Sequence, residues 1–290
     1  MKPKTIGEGT IESIFEMRVP ARTAPEMFPD ATPEHVAKHR HWLEPACMQP
    51  ETGLLIITHQ SYLIRFAGLT ILVDTCIGSD KTNHGRPDFH RKKMPMLDNL
   101  KAAGVAPEEI DLVLCTHLHM DHVGWNTRLE NGQWVPTFPN ARYLFNKTDF
   151  EYWEKEYTRL DWMGASFAES VLPVMEAGKA DLVAGDHQIR DGLRLEPMPG
   201  HSPGLVCLYL ESGGATAAFC GDAMHHPIQV AEPQLSSIFC EDPEQSAATR
   251  TAFVERHADT DTLILPAHFA DDSAGHIVSG PDGCLFKFGE

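Results

Sequence analysis

Hydrophobic and polar positions alternate over residues 11–19 (IESIFEMRV) with the two-residue period of a strand that buries one face. Prolines break that rhythm across residues 20–52. Inside this stretch Thr32, Pro33 and Glu34 supply an N-cap, a first-turn proline and an early acid, predicting a helix to about Leu43. Dense apolar runs follow: LLIIT at 54–58, YLIRF ending at Phe66 and LTILVD at 69–74, with Gln60-Ser61 and Ala67-Gly68 read as turns between meander strands. Further on, the pattern predicts a helix over 93–103 that stops at Gly104, and a short buried strand at 111–116. A strand at 141–146 and helices at 148–157 and 166–177 come next. Strands at 193–197, 205–210 and 215–220, a helix opened by Asp242-Pro243-Glu244 and running to His257, and a strand at 262–266 complete the reading.

Strands and helices mixed over the whole length, with no low-complexity linker, predict one α/β domain over 1–290. The 20–52 segment interrupts two strand regions and reads as a lid or as a dimer arm, the latter implying a homodimer. Its His35, His39 and His41 read as surface residues. A formal charge of −17 argues against nucleic acid as a partner, and the densest basic cluster, Arg91-Lys92-Lys93, reads as a solvated helix start. No apolar run approaches the ~20 residues that cross a bilayer, and no signal-peptide segment opens the chain, so no membrane partner and a cytoplasmic location are expected. Seven scattered cysteines with no Cys-x-x-Cys pair predict reduced thiols rather than disulfides or a thiolate metal site.

The candidate chemistry gathers at the ends of predicted strands. The strand at 111–116 runs into His117-Leu118-His119, whose two imidazoles share one face of an extended chain, and Asp121 and His122 follow at once. Imidazole and carboxylate suit zinc, manganese, cobalt or iron, and a single ion needs only three or four protein ligands. The surplus therefore points to two ions. His201 in PGHSPG, Asp222 in CGD and His268 in LPAHF each close a later strand.

Asp74, then His117, His119, Asp121 and His122, then His201, Asp222 and His268 form an ordered series that resembles the metallo-β-lactamase superfamily from about Leu54 to Phe269. The resemblance implies an αββα sandwich, with mixed sheets flanked by helices and a metal centre at one edge. It implies that His117, His119 and His201 hold a first divalent ion, and that Asp121, His122 and His268 hold a second. Asp222 would bridge the two, and Asp74 would orient a ligand histidine from behind. Zinc is the expected metal.

Two such ions can share a hydroxide and polarise a carbonyl or phosphoryl oxygen, so a hydrolase is expected, with Asp121 also relaying a proton. The sequence Gly221-Asp222-Ala223-Met224-His225 resembles the lactonase and methyl-parathion-hydrolase-like branch. Many homoserine lactonases of that branch place a tyrosine where this chain has His225, which either donates to a developing oxyanion or packs beside the site. The expected substrate is a small lactone or carboxylic ester. A phosphotriester is the alternative, and a non-catalytic metal-binding or interaction protein the alternative from another class. His226 reads as structural or exposed, and Trp125 and Phe269 as the aromatics best placed to line an apolar pocket.

Overall fold

The computed structural model describes residues 1–83, 86–270, 273–281 and 283–289, with residues 161 and 162 described by backbone alone. Its contacts divide the chain into a first unit, residues 3–17 and 59–187, and a second unit, residues 1–2, 18–58 and 188–290.

Nine strands come first along the chain: β1 (Lys4–Ile6), β2 (Gly9–Thr23), β3 (Leu54–Phe66), β4 (Leu69–Val73), β5 (Leu112–Leu114), β6 (Thr127–Glu130), β7 (Gln133–Pro136), β8 (Arg142–Asn146) and β9 (Ala180–Val183). Seven of them make a mixed sheet in the order β1-β2-β3-β4-β5-β8-β9, and β6 and β7 pair as a separate hairpin. A second seven-stranded sheet lies wholly within the second unit: β10 (Gln188–Arg190), β11 (Leu193–Pro197), β12 (Val206–Ser212), β13 (Ala215–Gly221), β14 (Leu263–Pro266), β15 (Gly275–Gly280) and β16 (Gly283–Phe288), neighbours in that order. The helices are α1 (Ala24–Met27), α2 (Pro33–Leu43), α3 (Met96–Ala102), α4 (Met120–Val123), α5 (Lys147–Glu156), α6 (Asp161–Ser170), α7 (Leu172–Glu176), α8 (Ile228–Ala231) and α9 (Pro243–His257).

Local chemistry accounts for most boundaries. The Thr32 hydroxyl accepts from His35 N at 3.3 Å and starts α2, and the Asp242 carboxylate accepts from Gln245 N at 2.9 Å and starts α9. The Ala67-Gly68 pair between β3 and β4 has φ of 50° and 80°, and Gly213-Gly214 between β12 and β13 has 60° and 82°, the tight hairpin turn that matches strand twist. In the first sheet β4, β5, β8 and β9 run parallel, and β5, between β4 and β8, is apolar and buried at every residue, as a strand covered on both faces must be.

The structure departs from the sequence pattern in several places. Gln60-Ser61 is not a turn: β3 is unbroken through both residues, because Ser61 Oγ donates to Asp74 O at 2.6 Å and satisfies the buried hydroxyl without bending the chain. The helix expected over 166–177 is two helices, α6 and α7, the second with Pro173 in its first turn. Arg91, Lys92 and Lys93 are exposed but precede α3, which begins only at Met96. His39 is not a surface residue: it is 2% exposed, with Nε2 2.8 Å from Glu232 Oε1 and Nδ1 accepting from Trp42 Nε1 at 3.3 Å. Strands β6, β7, β9, β10, β15 and β16 were not foreseen. They are short, or their polar and apolar residues do not alternate cleanly.

Each unit has its own core. In the first, Leu72, Val113, Cys115, Tyr143, Phe145, Trp153 and others pack together. In the second, one cluster surrounds Phe253, Ile264 and Phe286, and another joins Phe28, Leu43, Leu55, Ile228 and Leu235, so that α1 and α2 pack against the segment following β13. Of the aromatics named above, Phe269 stacks edge-on with Phe286 at 4.8 Å in that core, and Trp125 is buried with its indole donating to Glu16 at 2.7 Å. Both are packing residues.

Candidate metal centre

In the first unit, β5 is a three-residue apolar strand that delivers Cys115, Thr116 and His117 into a tight passage ending at α4. His117, His119 and His122 are 1–3% exposed, and their rings crowd together, 4.5 Å between the centroids of His117 and His119 and 4.1 Å between His117 and His122. The passage is held from behind. Asp74, at φ +59°, accepts from Thr116 N at 2.7 Å through Oδ1, and its Oδ2 lies 2.9 Å from Nδ1 of His122. That contact leaves Nε2 of His122 as its outward nitrogen. Leu118 N donates to Asp149 at 2.7 Å, and Trp153 stands edge-on to His119 at 5.2 Å.

A second layer of contacts fixes this loop against residues 74–78. Thr75 N donates to His122 O, Gly124 N to Cys76 O and Trp125 N to Thr75 O, all at 2.7–2.8 Å. A Cβ on Gly124 would stand 1.9 Å from Ile77 O, so only glycine allows the approach. Glu16 of β2 locks the crossing: its carboxylate accepts from Ile77 N at 2.8 Å and from the Trp125 indole at 2.7 Å. Burial drives its pKa up to about 7, against the pull of those donors, with Asp121 nearby adding to the rise. Cys115 and Cys76, both fully buried, have thiols pushed well up by desolvation, which makes them inert packing groups.

In the second unit, Asp222 follows β13 and is the hub of three imidazoles. Nε2 of His201 and Nε2 of His225 each lie 3.3 Å from Oδ2, and Nε2 of His268 lies 3.0 Å from Oδ1. All four residues are 1–3% exposed. His268 is oriented by its other nitrogen, 2.8 Å from Thr58 O. His201 is approached at Nδ1 by Cys240 Sγ at 3.8 Å, and the loop carrying it is pinned by Asp242 N donating to Gly200 O at 2.9 Å. His225 has Nε2 3.5 Å from Ser237 Oγ as well, while its Nδ1 has no hydrogen-bond partner. Burial lowers its pKa, opposed by Asp222, so the ring is neutral near pH 7. His226 points away, Nε2 2.8 Å from Cys47 O.

The Asp222 carboxylate with the imidazoles of His201 and His268 within 3.3 Å is a buried nitrogen and oxygen set of the kind that suits a divalent transition metal. The neutral state of a desolvated imidazole is the one that binds metal. Among the residues that sequence pattern did not single out are His59, Glu16, Ser237 and Cys240. The trace of His59 was an imidazole in the polar centre of β3, between two apolar runs, and that of Glu16 an acid at an inward position of β2.

Two mixed sheets with helices, carrying buried histidine–aspartate clusters at strand ends, define a mixed α/β protein with the donor chemistry of a divalent-metal site. The chain belongs to the metallo-beta-lactamase superfamily, whose family profile matches residues 57–268. It is similar to the N-acyl homoserine lactonase AiiA of Bacillus thuringiensis subsp. kurstaki, 28% identical over 115 residues, which is 39% of this chain and 38% of that relative. The match thus spans well under half of the lactonase. Metallo-beta-lactamase domain-containing protein 1 of Xenopus laevis is 27% identical over 201 residues, 69% of this chain and 66% of the relative. Among solved structures, the hydrolase AbOPH aligns at a TM-score of 0.83 with 21% identity, covering 99% of this chain and 98% of the other. The dizinc quorum-quenching lactonase AidC aligns at 0.79 with 18% identity, covering 100% and 97%. These likenesses show the metallo-β-lactamase fold, the α/β class expected from the sequence.

Proposed function

We propose that the protein is a dinuclear-metal hydrolase of a small lactone or carboxylic ester. By the superfamily resemblance, His117, His119, Asp121 and His122 of the first unit and His201, Asp222 and His268 of the second are the residues that would hold the ions. The observation that carries the reading is the three buried imidazoles set within 3.3 Å of one carboxylate, Asp222. So much unsolvated ligand chemistry at strand ends is costly to keep unless it does work. Bound divalent ions, zinc in the first instance, supply Lewis acidity and a water acidic enough to lose its proton near neutral pH.

The chain's own residues supply the rest. Asp121, whose side chain is 22% exposed where those of its neighbours His122 and His59 are 1% and 5%, takes the proton that must leave as the carbonyl is attacked. His225 has Nε2 3.3 Å from the Asp222 carboxylate and 3.5 Å from Ser237 Oγ, and its N–H is the donor offered to the developing oxyanion once the ions engage Asp222. Asp74 keeps His122 in the tautomer that presents Nε2. The lactonase AiiA and the dizinc lactonase AidC support a lactone as the first substrate to try. A phosphotriester is the second reading, supported by His225 itself: an imidazole N–H serves a phosphoryl oxygen as well as a carbonyl.

Turnover of a panel of lactones, aryl esters and a paraoxon-like triester is the test. Chelation should abolish hydrolysis and zinc, manganese or cobalt should restore it. His225→Ala should lower turnover about 100-fold with metal content unchanged. Full activity in metal-free protein would overturn the reading, and a strong preference for a β-lactam or a thioester would overturn the substrate class.

A further inference from the structure

Asp121 is the one residue of the 117–122 run whose carboxylate has two different neighbours within the first unit. Its Oδ1 is 3.8 Å from Nε2 of His122, and Oδ2 is 3.4 Å from Nδ1 of His59. Because Asp74 occupies Nδ1 of His122, the facing pair of His122 Nε2 and Asp121 Oδ1 is the pair available to one ion. His59 Nδ1 faces the other oxygen of the same carboxylate.

His59 is held to that post. It lies on β3, 5% exposed, and its ring meets Phe89 edge-on with centroids 5.5 Å apart and planes at 78°. Phe89 is itself packed with Ile77 and Met120, and Met120 immediately precedes Asp121. The next residue along the strand, Gln60, is fixed by Ser13 and Tyr62. An imidazole immobilised by packing is a better orienting group than a free side chain, because little rotamer entropy is lost when it donates.

We propose that His59 is a positioning residue for Asp121: its Nδ1–H donates to Oδ2, fixing the carboxylate rotamer so that Oδ1 faces the ion shared with His122. This rests on the two-metal reading above. The 3.4 Å separation closes by a few tenths of an ångström to reach the usual hydrogen-bond range of about 2.7–3.2 Å, the kind of tightening that catalytic hydrogen bonds show when a site is loaded. Partners that orient a ligand from outside are worth roughly 10- to 100-fold in metal affinity. A histidine kept only for packing would give no such dependence on its N–H.

Two variants separate donor from bulk. His59→Asn keeps an N–H at the position of Nδ1, and His59→Phe keeps a ring against Phe89 without the donor. Zinc titration calorimetry and metal counting on the full chain, with circular dichroism to verify folding, supply readouts independent of turnover. Wild type should bind two zinc ions. His59→Phe should bind one as tightly as wild type and the other about 10- to 100-fold more weakly. His59→Asn should recover most of that loss. Unchanged affinities in His59→Phe would overturn the proposal, as would equal impairment of both variants, which would mark the role as packing. Fewer than two zinc ions on wild type would overturn the two-metal reading itself, and this assignment with it.

Discussion

At the scale of single residues, the ordering of nitrogens decides what each histidine can do. His122 and His268 each give one nitrogen to a fixed oxygen, Asp74 Oδ2 and Thr58 O, and so present the other. His226 shows the opposite use. It is fully buried, with Nε2 on Cys47 O and Nδ1 accepting from Ile228 N, and burial lowers its pKa to about 4. A histidine held neutral in the fold takes up its proton only in the unfolded chain below about pH 6.5. Its stabilising contribution is thus present above pH 6.5 and is lost as pH falls toward about 4, a change of roughly 3 kcal/mol. Urea unfolding of wild type and His226→Gln across that window should show the smaller acid loss in the variant; parallel curves would contradict it. The donor types at 117–122, 201, 222 and 268 were legible from the sequence, since imidazole and carboxylate at strand ends declare their chemistry. The tautomers were not, because each is set by an oxygen far along the chain, 48 residues away for His122 and 210 for His268.

At the scale of elements, the site depends on two loops pressed together rather than on any one strand. Residues 74–78 and 122–126 exchange backbone hydrogen bonds, and Gly124 sits where a side-chain carbon would collide with Ile77 O at 1.9 Å. Gly124 has φ −56°, so its requirement is space and not an unusual backbone angle. Gly124→Ala should therefore destabilise by about 2–4 kcal/mol and weaken zinc binding together, since overpacking must push the ligand loop aside. Gly68→Ala, where nothing lies within 4 Å, should cost only about 1 kcal/mol from its positive φ and leave zinc binding intact. Chemical denaturation with zinc titration checks both, and equal effects on zinc binding would refute the argument. Sequence pattern placed β5, β8, α2 and α9 well, because apolar period and capping residues are local. It broke β3 at Gln60-Ser61, because a polar pair reads as a turn unless its buried partners, Asp74 O among them, are known.

At the scale of the molecule, the net charge of −17 and the buried acids and imidazoles set a common expectation. No helix among the described residues is long and apolar enough to cross a membrane. Glu16 and Asp121 influence each other electrostatically, and Asp222 and Asp74 lie buried among imidazoles, so cations that bind the folded chain should stabilise it measurably. Zinc at about 100 times its dissociation constant should add roughly 2.7 kcal/mol per site to unfolding, seen as a higher thermal midpoint that a chelator reverses. A midpoint indifferent to zinc would remove the basis for the metal centre. The sequence by itself determined the alternation of strands and helices, the residue types at the strand ends and their order, and with these the superfamily. Such properties are written along one dimension. Only the tertiary structure decided that β3 is continuous, that His39 is buried on Glu232, that Glu16 clamps the ligand loop and that His59 stands beside Asp121. Each of those depends on groups far apart in the chain meeting at a few ångströms, and no local pattern records which ones meet.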